Sequence, residues 1–153
     1  LEGPEGPREI AVEDFFLPDG TWNTRRGPAE IVTRIRIPIR DGDLRTGYAK
    51  LRQRNSIDFP LLTVAVASRL DDDGRVGELR GVVTGLGARP KSLAGWEEIA
   101  EGRTLDDEVI DALAERAHEQ CHPLENMIVD TDWRRAMVPV YVKKALDQLR
   151  SGE

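Results

Sequence analysis

Polar and apolar positions alternate most cleanly over residues 30–39. Ile31, Thr33, Ile35, Ile37 and Ile39 fall on one side of an extended chain, and Val32, Arg34 and Arg36 on the other. That period of two predicts a half-buried strand. Pro38 belongs near its end or on an edge, because proline donates no ladder hydrogen bond. Asp41-Gly42-Asp43 then turns the chain. A second strand is predicted over residues 48–54, with Ala49 and Leu51 on one face and Tyr48, Lys50, Arg52 and Arg54 on the other. Residues 61–70 read as a third, nearly continuous apolar strand, closed by the hairpin-type turn Asp71-Asp72-Asp73-Gly74. Residues 78–88 supply a fourth, whose Gly81, Gly85 and Gly87 point to bulges or close backbone approach. Upstream, residues 8–16 alternate weakly. They predict a short strand ending in a Phe15-Phe16 anchor, followed by a Pro18-Asp19-Gly20 turn.

Beyond residue 90 the period lengthens. Ser92 is a candidate cap for a short helix carrying Leu93, Trp96 and Ile99, which Gly102 would end. Thr104 is the candidate cap of a second helix, with Ile110, Leu113, Ala114, Ala117 and Cys121 on one stripe. A third helix is predicted over residues 132–149, with Met137, Tyr141, Ala145 and Leu149 at steps of four. Pro139 should kink it or mark its true first turn. Strands precede helices and the connections between strands are short. The expected fold class is therefore α+β: a four-stranded antiparallel sheet packed on one side by three C-terminal helices. Residues 1–7, rich in Gly and Pro, read as a linker or disordered tail, and residues 8–150 as a single α+β domain.

Composition narrows the picture. Hydrophobic residues make up 39% and charged residues 33%, which suits a soluble globular domain with a modest core. Aromatics are only 5%, so that core must be aliphatic. No run approaches the ~20 apolar residues of a membrane span, and the N-terminal stretch has no signal-peptide pattern. A net charge of −6 argues against a nucleic-acid surface. The single cysteine, Cys121, excludes an intrachain disulfide or a four-cysteine metal site, and fits a cytoplasmic setting.

Most short motifs dissolve on inspection. Gly85-Leu86-Gly87 has Pro90 where a dinucleotide loop needs its third glycine, so it reads as a glycine-bearing strand end. His118 and His122 have a metal-ligand spacing, but Pro123 ends any helix there, and both read as cations at a helix terminus. Cys121 reads as a small core residue. Asp71-Asp72-Asp73-Gly74 lacks the downstream bidentate glutamate of a calcium loop. Asp106-Asp107-Glu108 suits a helix N-terminus, and Arg25-Arg26 and Arg134-Arg135 read as surface charge. The informative feature is the polar side of the first two predicted strands, where Val32, Arg34, Arg36, Lys50 and Arg54 would share a cationic surface with one apolar spot. It is either an ordinary solvated sheet face or a docking face for an anionic or electron-rich ligand.

Several segments, taken in order, resemble a known family. Glu30-Ile31-Val32-Thr33-Arg34-Ile35-Arg36-Ile37-Pro38 is similar to the "E-hydrophobic-hydrophobic-x-x-I-x-I-P" strand of the molybdenum hydroxylase flavoproteins. These include carbon monoxide dehydrogenase medium subunits, xanthine dehydrogenases and 4-hydroxybenzoyl-CoA reductase. Tyr48 to Arg54, with Asp58-Phe59, resembles the family's "aromatic-x-K-x-x-x-R-x-x-x-D" segment. Trp133-Arg134-Arg135 through Lys143-Lys144-Ala145-Leu146 resembles its closing helix, and Arg8-Glu9-Ile10 with Phe15-Phe16 its entry into this domain.

The resemblance implies an α+β domain that closes over the FAD isoalloxazine of a flavoprotein subunit. It implies electron transfer from iron–sulfur clusters to FAD within a molybdenum-dependent oxidoreductase. By position, Lys50 matches the family lysine beside the flavin and Val32 the apolar residue that contacts it. FAD would be held only together with an N-terminal FAD-binding domain, because the glycine-rich loops that grip the pyrophosphate do not occur in this sequence. The molybdenum cofactor and iron–sulfur clusters are expected on partner subunits. The chain is thus expected to be part of an FAD-containing dehydrogenase complex and inactive by itself. The competing expectation is a stand-alone protein-interaction module with this fold and no flavin. Arg54 and Asp58 are expected to pair and hold the strand end.

Overall fold

The computed structural model describes residues 1–38, 44–55 and 57–152. Along them run β1 (Glu2–Gly3), β2 (Gly6–Pro7), α1 (Val12–Phe15), β3 (Leu44–Leu51), β4 (Leu62–Leu70), β5 (Val76–Thr84), β6 (Lys91–Ser92), α2 (Glu97–Ala100), α3 (Asp107–Gln120) and α4 (Thr131–Ser151). β3 to β6 form an antiparallel sheet in chain order. The helices cover one face only: α4 packs on β3 and β4, α2 on β5, and α3 on α4 and α2. This is the expected α+β arrangement of four strands and three C-terminal helices.

Alternation decides which strand positions meet the helices. Ala49 and Leu51 of β3, Leu62, Val64 and Val66 of β4, and Val76, Leu79 and Val83 of β5 are buried. They join Val109, Ile110, Leu113, Ala114 and Ala117 of α3, and Val138, Val142, Ala145, Leu146 and Leu149 of α4, in one core. Each such Leu or Val contributes about 1.5–3 kcal/mol by leaving water. Two glycines let the layers meet closely. A Cβ on Gly47 would lie 1.9 Å from the Ala145 carbonyl oxygen of α4, and one on Gly81 would lie 2.5 Å from the Trp96 ring. Cys121 packs in the same core, where burial pushes its thiol pKa up.

Sheet membership differs from the expectation. Residues 31–38 form no strand beyond a single bridge from Ile31 to Glu2, and Ile35 and Ile37 are 82% and 81% exposed. Alternation sets which side a strand would bury, but it supplies no ladder partner. Among the described residues β3 is bonded to β4 alone, and on its outer edge the Tyr48 N–H donates to Gln148 Oε1 of α4 at 2.9 Å. The predicted Ile39 end and the Asp41-Gly42-Asp43 turn lie outside the described residues. β3 starts earlier than expected, at Leu44, and β6 is an additional two-residue strand. Residues 1–7, expected as a linker or tail, carry the β1–β2 ladder, with Glu2 bridging Ile31. Residues 12–15 are a helical turn rather than strand. The Phe15 and Phe16 rings that follow the expected pattern meet edge to face, centroids 5.1 Å apart.

Helix starts also move, for reasons of side-chain chemistry. Asp106 accepts the Val109 N–H at 2.9 Å and so caps α3, while Thr104 bridges Arg75. Asp130 caps α4 by accepting the Trp133 N–H at 2.9 Å. In both, a carboxylate fills an orphan amide and faces the positive end of the helix. Ser92 sits in β6 and caps nothing. Pro139 lies within α4 rather than at its first turn. The buried stripe of α4 is turned from the expected one and runs Arg134, Val138, Val142, Ala145, Leu146 and Leu149, with Met137 and Tyr141 at its margin.

Candidate functional site

The sheet face away from the helices has no covering element among the described residues. Its composition follows from register. Lys50 lies opposite Thr63, and Thr63 opposite Thr84. The next row inward is Tyr48, Ala65 and Val82, and the next Thr46, Ala67 and Arg80. The rows thus change in character along the strands: an ammonium and two hydroxyls, then an apolar strip, then Thr46 and Arg80. The small side chains of Ala65 and Ala67 leave an open depression of about 480 Å³, walled by Tyr48, Val82, Arg80 and Gln148. Arg80 is itself paired with Glu78 at 2.8 Å.

Lys50 is fixed by the loop that follows its strand. Its Nζ donates to the Asp58 carbonyl oxygen at 2.9 Å, which leaves two N–H donors of the ammonium for other acceptors. Asp58 is in turn held by the loop. Its carboxylate accepts from the Arg54 guanidinium at 3.4 Å, the Arg54 N–H at 3.1 Å and the Phe59 N–H at 3.0 Å. The Arg54 guanidinium, first among these, holds the Asp58 carboxyl below its usual range. The expected Arg54–Asp58 pair is therefore present, and its consequence is to set the carbonyl that orients Lys50. Ile57 and Phe59, on the same loop, are 100% and 88% exposed.

Val32 is not on this sheet. It lies in the segment after the Ile31–Glu2 bridge and is half-exposed. The cationic surface expected from Val32, Arg34, Arg36, Lys50 and Arg54 on two paired strands does not form. Arg36 instead pairs with Glu9 at 2.7 Å, and Arg54 belongs to the loop. The segment bearing Val32 is anchored at Glu30, whose carboxylate takes the Arg8 guanidinium at 2.6 and 2.8 Å and the Gly27 N–H at 2.6 Å. Chiefly because of Arg8, the Glu30 carboxyl is lowered to about 2.

Arg134 corrects another expectation. Instead of surface charge it is a buried guanidinium, 3% exposed. It donates to the carbonyl oxygens of Leu124 (2.8 Å), Leu61 (3.2 Å) and Gly85. Burial lowers its pKa. One side chain of α4 thereby ties the start of β4, the glycine after β5 and the loop before α4 at the Lys50 end of the sheet. The Leu/Val spacing of α4 would have found it, since Arg134 precedes Val138 by one helical step on the buried stripe. The Thr63–Thr84 pair is legible in the same way, since each threonine is one residue from buried strand neighbours, Leu62 and Val64 for Thr63 and Val83 for Thr84.

Residues 47–149 match the CO dehydrogenase flavoprotein C-terminal domain. The chain belongs to that family. The match contains Lys50 and the whole main sheet from Gly47 onward, and leaves Val32 outside it. Relatives extend the likeness over nearly the whole chain. The carbon monoxide dehydrogenase medium chain of Hydrogenophaga pseudoflava is 29% identical over 96% of this chain. The glyceraldehyde dehydrogenase medium chain of Sulfolobus acidocaldarius is 28% identical over 97%. The structure of the Hydrogenophaga pseudoflava carbon monoxide dehydrogenase that lacks the Mo-pyranopterin moiety superposes with a TM-score of 0.87, at 28% identity over 98% of this chain and 51% of that chain. The chain spans about half the length of the curated relatives it matches, 50% and 51% of those two medium chains. No helix among the described residues is long and apolar enough to cross a membrane.

Proposed function

We propose that this flavoprotein C-terminal domain forms one wall of an FAD site in a molybdenum-dependent oxidoreductase, with Lys50 facing the isoalloxazine. The observation that carries the reading is the uncovered sheet face. A held ammonium sits at one end of a flat apolar strip, which is what a planar, electron-accepting ring requires of one wall. When bound, FAD supplies the electron-accepting chemistry. The contribution of the chain is to orient and stabilise. A fixed cation at the edge of the ring favours the negative charge that arrives with electrons, and being held in advance it costs little reorganisation. Val32, on the same reading, contacts the ring from the segment anchored by Glu30.

The pyrophosphate and ribose need a denser set of donors than this face presents, where the Arg80 guanidinium is already paired with Glu78. We assign them to an N-terminal FAD-binding domain, with molybdenum and iron–sulfur centres on partner subunits that deliver electrons. A single wall recovers little of the entropy lost on association, so residues 8–150 acting as one domain hold FAD weakly by themselves. Co-expression with the adjoining subunits tests this directly. A yellow complex with a flavin absorbance band supports it. A stable complex that purifies without flavin contradicts it and favours the alternative, an interaction module that uses exposed Ile57 and Phe59 for protein contact.

A further inference from the structure

We propose that Thr63 and Thr84 join Lys50 in binding the carbonyl-bearing edge of the ring laid on the uncovered face, an inference that rests on the flavin-wall reading above. The three side chains belong to neighbouring strands at one level, Lys50 opposite Thr63 and Thr63 opposite Thr84. Strands lie about 4.8 Å apart, so the row spans roughly 10 Å, the scale of a fused-ring edge. Leu62, Val64 and Val83, the neighbours of the two threonines, are buried beneath the helices, which turns both hydroxyls to the open side. The hydroxyls bond each other across β4 and β5, and both are part-buried.

That bond has a chemical consequence. Two hydroxyls carry two protons, and one is used between them. The pair therefore keeps one O–H to donate outward, that of the accepting hydroxyl, polarised by the bond it accepts, together with free lone pairs. Beside two spare N–H donors of Lys50, this gives a row suited to ring carbonyls and to an imide N–H. The adjacent row, Tyr48, Ala65 and Val82, offers only apolar surface apart from the phenol, so a ring placed here has one polar edge and one apolar body in the right order. A cross-strand threonine pair also stabilises a sheet by itself, and the two roles separate by substitution. Valine keeps the branched shape and strand preference but loses the hydroxyl. Serine keeps the hydroxyl but loses the branch.

The test strips FAD from the complete flavoprotein complex and titrates FAD back, reading the dissociation constant and the flavin absorption band, with urea unfolding of each variant alongside. Thr63→Val and Thr84→Val are expected to weaken FAD about tenfold with stability retained, and Thr63→Ser to bind within about twofold of the parent. Lys50→Met is the reference. If Lys50→Met alters binding or the band while both valine variants match the parent, the hydroxyl row is wrong and the flavin wall stands. Equal weakening by Thr63→Ser and Thr63→Val also overturns the hydroxyl role. If none of the variants changes either readout, the flavin wall itself falls.

Discussion

Arg8 and Glu30 meet as a two-pronged pair, Nε to Oε1 at 2.6 Å and Nη2 to Oε2 at 2.8 Å, across 22 residues of chain. Arg8 also donates to the Arg25 carbonyl at 2.7 Å, so one guanidinium ties the chain at residue 8 to two points near the end of the first 30 residues. The planar fork matches the carboxylate as a lysine could not. This pair sets where the Val32 segment begins.

Its pH dependence follows from the lowered Glu30 carboxyl. A depressed folded-state pKa stabilises the pair fully above the ordinary value of 4.5 and loses that effect as pH falls through about 2. Amide protection at Gly27 and Ile31, taken relative to the intrinsic exchange rate at each pH, should therefore be high at pH 5 and fall towards pH 2.5, while that of β4 amides holds. In Glu30→Gln the two should show little protection at either pH. Unchanged protection in that variant would remove the anchoring role.

Gly47 is a packing requirement. A methyl group there would meet the Ala145 carbonyl oxygen at 1.9 Å and Val66 Cγ2 at 3.1 Å, and the carbonyl belongs to a helix backbone that has no rotamer to change. Gly47→Ala should destabilise the domain by about 3 kcal/mol, the upper range for overpacking. Urea unfolding followed by far-UV circular dichroism measures it. A loss near zero would mean that α4 can lift from β3 without cost.

Arg134 closes three loop carbonyls with one side chain. Arg134→Met preserves much of its volume but leaves the carbonyls of Leu61, Gly85 and Leu124 without this donor. The expected cost is roughly 2 kcal/mol, because the buried Leu61 carbonyl loses this donor and with it its compensation for desolvation, the part-buried Gly85 and Leu124 carbonyls less so. Arg134→Lys, with a compact charge in place of a fork, should recover only part of it. Thermal unfolding of the two variants side by side checks the order.

Much of this fold can be read from the chain because local chemistry and burial agree. β4 has Leu62, Val64 and Val66 on one side, and the Asp71 carboxylate turns the hairpin by accepting the Asp73 and Arg75 N–H groups at 3.0 and 2.8 Å. The stripe Ile110, Leu113, Ala114, Ala117 and Cys121 is buried as its spacing requires. Failures arise where a distant partner decides. The pattern of residues 31–38 is as regular as that of β4, yet beyond the Ile31–Glu2 bridge no strand among the described residues pairs with it, and Gln148 bonds the edge of β3. Arg134 reads as surface charge until the three carbonyls that receive it are known. Lys50 was legible on the open face from alternation alone, whereas its tie to the Asp58 carbonyl depends on how the loop closes.

The central claim, that the Lys50 ammonium faces a flavin ring, is tested most directly by the two-electron reduction potential of FAD in the complete complex carrying Lys50→Met. Removal of a cation that favours the reduced, negatively charged ring should lower the potential by about 30 mV or more, a tenfold change in the equilibrium for a two-electron couple. A potential equal to that of the parent complex, with FAD bound at full occupancy, would contradict it.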